Sequence, residues 1–457
     1  MSMGIGDDLR SLMDSGIEWI DKIPRGWTVK PLKWIVKFGK GLPITKDNLV
    51  EQGIPVVSYG QIHSKTNNGT HLHGDLIRFV GETYLESNPL SLGKKGDIFF
   101  ADTSEDYAGI GNAVLVDIDT PVFAGYHTVI VRPDDTSYSR YLAYLFLTDA
   151  WRSQLCSRAS GIKVFSITQG LLKKTTIILP PTEKAAVMTD YLDRKCSQID
   201  AIIARQQKVI EKLKEYRLSV ITEAVTKGLN PNVPMKDSGD DFIGVMPKHW
   251  NVAKLGMLFD FLGGYAYSSD SYTSESDNQV IRIGNVKSGY IALENNPVYI
   301  SNEIASATDK YRIKPGSILF TMTGTKGKRD YFFTHLVTEE DCKGKKLFLN
   351  QRVGCFIPKE SIDAGYYSYL LKENRILDAI FVYETGTANQ GNLGIENIRR
   401  TKVQLPSKDE QVKIREYLDN RCAKIEGLLT RKREIIYRLT AYRKSLIYEV
   451  VTGKKEV

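Results

Sequence analysis

Leu179–Lys227, LPPTEKAAVMTDYLDRKCSQIDAIIARQQKVIEKLKEYRLSVITEAVTK, decides the fold, because it returns as Leu405–Gly453, LPSKDEQVKIREYLDNRCAKIEGLLTRKREIIYRLTAYRKSLIYEVVTG. The two copies align without a gap at an offset of 226, sharing LP, YLD, the cysteine and Y-R-x-S. Alternating steps of four and three through the first give Met188, Leu192, Lys195, Ile199, Ile202, Gln206, Val209, Leu213, Tyr216, Val220 and Glu223, a coiled-coil seam with three polar interruptions. The second gives Ile414, Leu418, Arg421, Ile425, Leu428, Lys432, Ile435, Leu439, Tyr442, Leu446 and Glu449, interrupted at the same places. Roughly 44 helical residues make a rod of about 66 Å, too long for an ordinary helix of one domain, so each rod must find a partner. Pro181 and Pro406 mark the starts, Ser407 and Glu410 form a capping box, and Gly228 and Gly453 mark the stops.

Outside the helices the duplication continues. DSGIEWIDKIPRGWTVKPL from Asp14 and DSGDDFIGVMPKHWNVAKL from Asp237 align at an offset of 223, pairing Ile20 with Ile243, Pro24 with Pro247 and Trp27 with Trp250. A period this long excludes a solenoid and indicates domain duplication. Strands are expected at 54–60, 97–101, 112–118 and 127–132, then a helix from Tyr138 to Arg158. The second half repeats the order with strands at 279–286, 317–323 and 346–357 and a helix from Tyr366 to Ile380. The expected divisions are 1–181 and 237–406 as globular domains, 182–227 and 407–453 as helical spacers, and 228–236 (GLNPNVPMK) as linker.

The chain has 457 residues and a net charge of +8, which leans toward nucleic acid without requiring it. No apolar run approaches the roughly 18 residues of a membrane span, and MSMGIGDDLRSLM lacks a signal peptide's apolar core, so a cytoplasmic protein without a membrane partner is expected. The five cysteines form no CxxC pair, and Cys196 and Cys422 share one repeat position beside the seam as packing residues. His71 and His73 are spaced to share a strand face, but they lack further ligands, so no metal is expected.

Motifs of catalysis are missing. GTKGKRD at Gly324 has the wrong spacing for a phosphate loop, GIGN at Gly109 is too short for a dinucleotide fingerprint, and no HExxH, GxSxG or NPPY-like tetrapeptide occurs. Polar loops are more informative. Ser58–Gly74 has a single acidic-free run offering Tyr59, Gln61, His63, Lys65, Asn67 and Asn68, and the polar turn ASGIKVFSIT adds Lys163. In the second half GTKGKRDYF supplies Lys326, Lys328, Arg329 and Tyr331, and TANQGN supplies Asn389, Gln390 and Asn392. Such sets approach phosphates without repulsion and carry amides and cations able to bond base edges.

These four segments in this order resemble the DNA specificity subunit of type I restriction-modification systems, over essentially Asp14 to Thr452. DSGIEWIDKIPRGW looks like that family's domain opening, and LPPTEKAAVMTDYLD and LPSKDEQVKIREYLD look like the starts of its conserved helices. The resemblance implies a non-catalytic, α+β protein. Two similar mixed α/β target-recognition domains would each contact half of a split, asymmetric site on double-stranded DNA, and the long helices would pair and dock two modification (methyltransferase) subunits. Those subunits would carry S-adenosylmethionine and methylate adenine, and restriction (translocase/nuclease) subunits would use ATP and Mg; no cofactor is expected in this chain. The second opening departs from the pattern, with DDFIGVM in place of IEWIDKI. Two other readings stand beside it: a coiled-coil scaffold with two ligand-binding domains, and a self-contained nuclease or methyltransferase.

Independently of the resemblance, the seam favours an antiparallel coiled coil. Parallel and in register, Lys195 would face Arg421 and Glu223 would face Glu449. Reversal removes both like-charge contacts and places the globular halves at opposite ends. Pairing is expected through Leu192, Ile199, Ile202, Gln206, Leu213, Leu418, Ile425, Leu428, Lys432 and Leu439.

Overall fold

Two helices of 46 and 44 residues, Thr182–Lys227 and Lys408–Val451, run through the fold and serve both of its halves. The computed structural model of the protein describes residues 12–159, 161, 164–387 and 389–457. Its contacts group into one unit reaching to Gln207 together with Arg433–Val457, and a second unit, Lys208–Lys432.

Within each unit the helices are antiparallel. In the first, Leu192, Cys196 and Ile199 near the start of one helix share a core with Leu446, Ile447 and Val450 near the end of the other, and Asp200 pairs with Arg443 at 3.1 Å. In the second, Val220 and Ala224 share a core with Ile414 and Leu418, and Arg217 pairs with Glu426 at 3.2 Å.

The phase of the seam differs from the expected one. Ile202 and Leu428 are 44% and 43% exposed, whereas Leu429 is buried and Ile203 packs against the core. Cys196 lies inside where Lys195 was expected, and Ile210 inside where Val209 was expected. Steps of four follow each other at Met188, Leu192 and Cys196, a slip that brings a 3.6-residue helix back into phase with a 3.5-residue repeat. Leu192, Ile199, Leu418 and Ile425 are buried, whereas Gln206, Leu213, Lys432 and Leu439 are half-buried. Arg421 and Glu223 are exposed, so these charges leave the seam and do not meet across it. The expected antiparallel orientation is nevertheless the one observed.

Each domain packs two four-stranded sheets. In the first, the antiparallel order is Ala113–Leu115, Ile98–Ala101, Thr128–Pro133 and Val36–Lys40. The other sheet runs Arg78–Val80, Ile54–Val57, Val122–Ala124 and Leu92–Gly93, with Ile54–Val57 parallel to Val122–Ala124. The second domain repeats this as Thr334–Leu336, Ile318–Thr321, Val353–Pro358 and Phe259–Gly263, beside a sheet in which Asn278–Ile281 is again parallel to its partner, here the edge strand Lys346–Leu349. The central strands are covered on both faces. Ile98 and Phe100 point to the helical core while Phe99 and Ala101 point between the sheets, which is why IFFA has no polar alternation. Fully burying each such large side chain contributes about 1.5–3 kcal/mol.

The expected single helix after the sheets is two, Ser139–Phe146 and Asp149–Cys156, because Thr148 caps the second through its hydroxyl and turns the chain. The strand expected at 54–60 ends at Val57, where Ser58 and Gln61 form a capping box over a helical turn. His71 and His73 lie in a loop; His71 bonds Asp117 at 2.8 Å, and no cluster of three potential metal ligands occurs among the described residues.

The repeated YLD motif attaches each domain to the helices. Tyr144 donates to Asp193 at 2.6 Å and Tyr369 to Asp419 at 2.8 Å. Arg140 adds ion pairs to Asp190 and Asp193, and Arg415 links Asp363 with Asp419. Buried Tyr141 and Tyr366 reach the end of the opposite helix, donating to the carbonyls of Val451 (2.9 Å) and Val225 (3.0 Å). Burial and the neighbouring carboxylate push both Tyr144 and Tyr369 up, so each phenol stays a donor.

Candidate nucleic-acid interface

In both domains the chain passes from the parallel strand of one sheet to the central strand of the other through a three-residue corner. It is Gly125-Tyr126-His127 in the first and Asn350-Gln351-Arg352 in the second. In the second domain this corner interrupts what reads in sequence as one strand over 346–357; the structure has Lys346–Leu349 and Val353–Pro358 instead.

The same hydrogen bonds fix both corners. Gly125 N–H donates to the Val57 carbonyl at 2.7 Å and Asn350 N–H to that of Ile281 at 3.1 Å. Leu42 N–H reaches Ala124 O at 2.8 Å, and Tyr265 N–H reaches Leu349 O at 2.9 Å. The carbonyl of the last corner residue is also held, His127 by Asp102 N–H at 3.0 Å and Arg352 by Met322 N–H at 3.2 Å. Gly41 and Gly264 let the crossing strand come this close. A Cβ there would stand 2.0 Å from Gly125 O and 1.9 Å from Asn350 O.

The loops nominated from sequence border these corners but occupy different positions in the two copies. Residues 58–74 follow the parallel strand of the first domain, whereas 323–331 follow the central strand Ile318–Thr321 of the second. The first-domain counterpart of the latter is 102–112, which carries Asp102, Glu105 and Asp106 and no Lys or Arg.

Much of the 58–74 loop is spent on its own shape. Gln61 accepts from Ser58 N–H at 3.2 Å; His63 Nε2 donates to Thr103 O at 2.8 Å while its Nδ1 accepts from Asn112 at 3.1 Å. Both amide hydrogens of Asn67 are used, on the carbonyls of Ile62 and Ala113, and Asn68 accepts from the Thr70 and His71 N–H groups. These four act in positioning the loop. Tyr59 is half-buried, its ring 5.6 Å from Tyr126 and 5.4 Å from His127, and Lys65 is exposed. Lys163 lies outside the described residues.

In the second domain the structure joins two segments far apart in sequence. Thr323–Gly324 pairs with Gln390–Asn392, which pairs with Thr385–Thr387, so GTKGKRD and TANQGN form one surface. Tyr331 is buried beneath it, donating to Glu384 at 2.7 Å, which takes it off the surface. Glu384 also accepts from Gly327 N–H, Lys326 donates to Gly386 O at 2.9 Å, and Arg329 pairs with Asp378. Lys328, Asn389 and Gln390 are exposed, and Asn392 is half-buried. Sequence reasoning missed the corners because two or three polar residues between strands carry no signature; the repeated Gly41 and Gly264 are the signal that marks them.

The profile of the type I restriction modification DNA specificity domain matches residues 24–212 and again 247–436. The chain belongs to this family. Its members are the non-catalytic targeting subunits of type I systems. The chain is similar to the putative MjaX specificity subunit of Methanocaldococcus jannaschii, 25% identical over 96% of each chain. It also resembles the EcoKI specificity subunit of Escherichia coli K12, 21% identical over 66% of this chain and 62% of that one. Among solved structures, a chain from work on complex assembly and conformational transition of the type I R-M system shares its fold, with TM-score 0.70 and 16% identity over 95% of this chain and all of that one. The HsdS subunit from Thermoanaerobacter tengcongensis matches with TM-score 0.50 and 16% identity over 97% of this chain and all of that one.

Proposed function

We propose that this chain reads a bipartite, asymmetric site on double-stranded DNA, one half through each target-recognition domain, and brings two modification subunits and the restriction subunits to it. The observation that carries this reading is a duplicated frame with unlike side chains at its exposed corner, Tyr126-His127 in one copy and Gln351-Arg352 in the other. Two readers built alike but furnished differently suit two different half-sites. The DNA-facing set is Tyr59, Lys65, Lys163, Lys326, Lys328, Arg329, Asn389, Gln390 and Asn392, with Gln61, His63, Asn67, Asn68 and Tyr331 supporting from within. Residues 1–181 and 237–406 form the recognition domains, 182–227 and 407–453 the spacers, and 228–236 the linker.

S-adenosylmethionine, ATP and Mg belong to the partner subunits, and the complex works in the cytoplasm; no helix among the described residues is long and apolar enough to cross a membrane. The test is binding of the chain, assembled with its modification subunits, to genomic fragments in competition with random duplex. Retention of fragments sharing a split motif supports the reading, and equal retention of all sequences overturns it.

A further inference from the structure

We propose that the last corner residue, His127 in the first domain and Arg352 in the second, is the principal base-reading residue of its domain. This deepens the DNA-reading proposal above and rests on it. Three observations converge on that position.

The backbone is fixed at both corners by the same set of hydrogen bonds. Three strands meet at the corner, the carbonyl of its first residue is closely approached by a glycine at which a Cβ would clash, and the last residue's own carbonyl is held by the chain leaving the central strand. A base-reading side chain needs a rigid mount, because a bidentate pair tolerates little displacement.

The side chains are unlike although the same hydrogen bonds frame both corners, and the backbone differs at the residue itself, His127 alone of the two having a positive φ. The side chains of Gln351 and Arg352 are exposed and have no hydrogen-bond or ion-pair partner among the described residues. A guanidinium free to project this way matches the O6 and N7 acceptors of guanine in the major groove, and the adjacent amide matches adenine. Arg329, by contrast, is already paired with Asp378.

In the first domain the mount carries a different chemistry. His127 is exposed and held at φ 53°, a conformation uncommon for a residue with a side chain. Its Nδ1 lies 3.2 Å from Asp102, and the Tyr59 and Tyr126 rings stand 5.4 and 6.1 Å away. With Nδ1–H donating to Asp102, Nε2 is the nitrogen left to meet a base. His127 and Asp102 border a cleft of about 480 Å³ together with Lys40, Ser166, Thr168 and Gln169. Asp102 has a second carboxylate oxygen that could accept from the exocyclic amino group of cytosine or adenine.

The experiment uses the full chain in complex with its modification subunits, methylating a pool of duplexes randomised around the wild-type site and read at base resolution. Arg352→Gln is expected to lower discrimination at one base pair of one half-site by about tenfold or more, leaving the other half-site unchanged. His127→Asn, which keeps a residue tolerant of positive φ, is expected to do the same in the opposite half-site. Thermal unfolding equal to wild type shows that each variant is folded. If Arg352→Gln weakens binding to every sequence alike and flattens the salt dependence, Arg352 is a phosphate contact and the inference fails. Unchanged preference, or both variants acting on the same half-site, also overturns it. A wild-type complex without any sequence preference would instead remove the proposed function itself.

Discussion

Gly264→Ala isolates the corner frame from the side chains it presents. The added Cβ would lie 1.9 Å from Asn350 O and 2.3 Å from its carbonyl carbon, against 3.4 Å for ordinary contact. The corner must therefore withdraw by about 1.5 Å, and because the opposing atoms are backbone no rotamer relieves the clash. Withdrawal stretches two hydrogen bonds, Asn350 N–H to Ile281 O and Tyr265 N–H to Leu349 O. Overpacking costs about 1–3 kcal/mol and each of the two weakened bonds about 0.5–1.5 kcal/mol, so roughly 2–6 kcal/mol is expected. For a domain of this size that lowers the melting transition by roughly 4–24 °C. Differential scanning calorimetry measures it, with Gly284→Ala as control because its nearest neighbour stands at 3.7 Å. Methylation mapping should show the second domain's half-site blurred and the other retained. Gly41→Ala should produce the mirror result. If Gly264→Ala melts with the wild type and methylates the same sites, the corner is not the rigid mount described here.

Tyr144→Phe removes a 2.6 Å bond to a carboxylate and should cost about 1–2 kcal/mol by urea unfolding; Tyr369→Phe should cost less, since Asp419 is 53% exposed against 24% for Asp193. The His71–Asp117 pair should give loop 68–73 a pH-dependent amide-exchange protection. The hydrogen bond to Asp117 raises His71 above 6.5; burial raises Asp117, but the His71 and Leu72 bonds outweigh it and hold the carboxyl below 3.8. The histidine contribution is complete below its unfolded value and lost as pH rises through the raised one, while the aspartate contribution is lost as pH falls through the depressed one. Protection constant between pH 6 and 9 would contradict this. Lys326→Ala with Lys328→Ala should weaken binding to all sequences and flatten the salt slope, as titrations at several salt concentrations would reveal. Inserting one heptad into each long helix adds about 10 Å, or about three base pairs, and sequencing of methylated sites should show the non-specific spacer lengthened accordingly.

The duplication and the long helices were legible because they rest on repetition and a sustained period, which one chain displays in full. The phase of the seam was not, since a strict alternation of four and three carried it onto Ile202 and Leu428, whereas Leu429 is buried and Ile203 packs against the core. Strands such as IFFA lacked alternation because both faces are covered. Among the site residues, polarity marked the right neighbourhood but could not separate display from support. Asn67 and His63 resemble readers in sequence, yet their polar atoms are consumed within the loop, and Tyr331 is buried. The corner residues His127 and Arg352 became visible only once the pairing of distant strands brought Asp102 and Met322 against them.

Base-resolution mapping of methylated adenines, in cells of the source organism with and without this gene, tests the central claim most directly. A split, asymmetric motif carrying one methylated adenine in each half is expected, abolished when the gene is removed while the modification subunits remain. Persistence of the same motif without this chain, or methylation or cleavage of DNA by the purified chain alone, would contradict it.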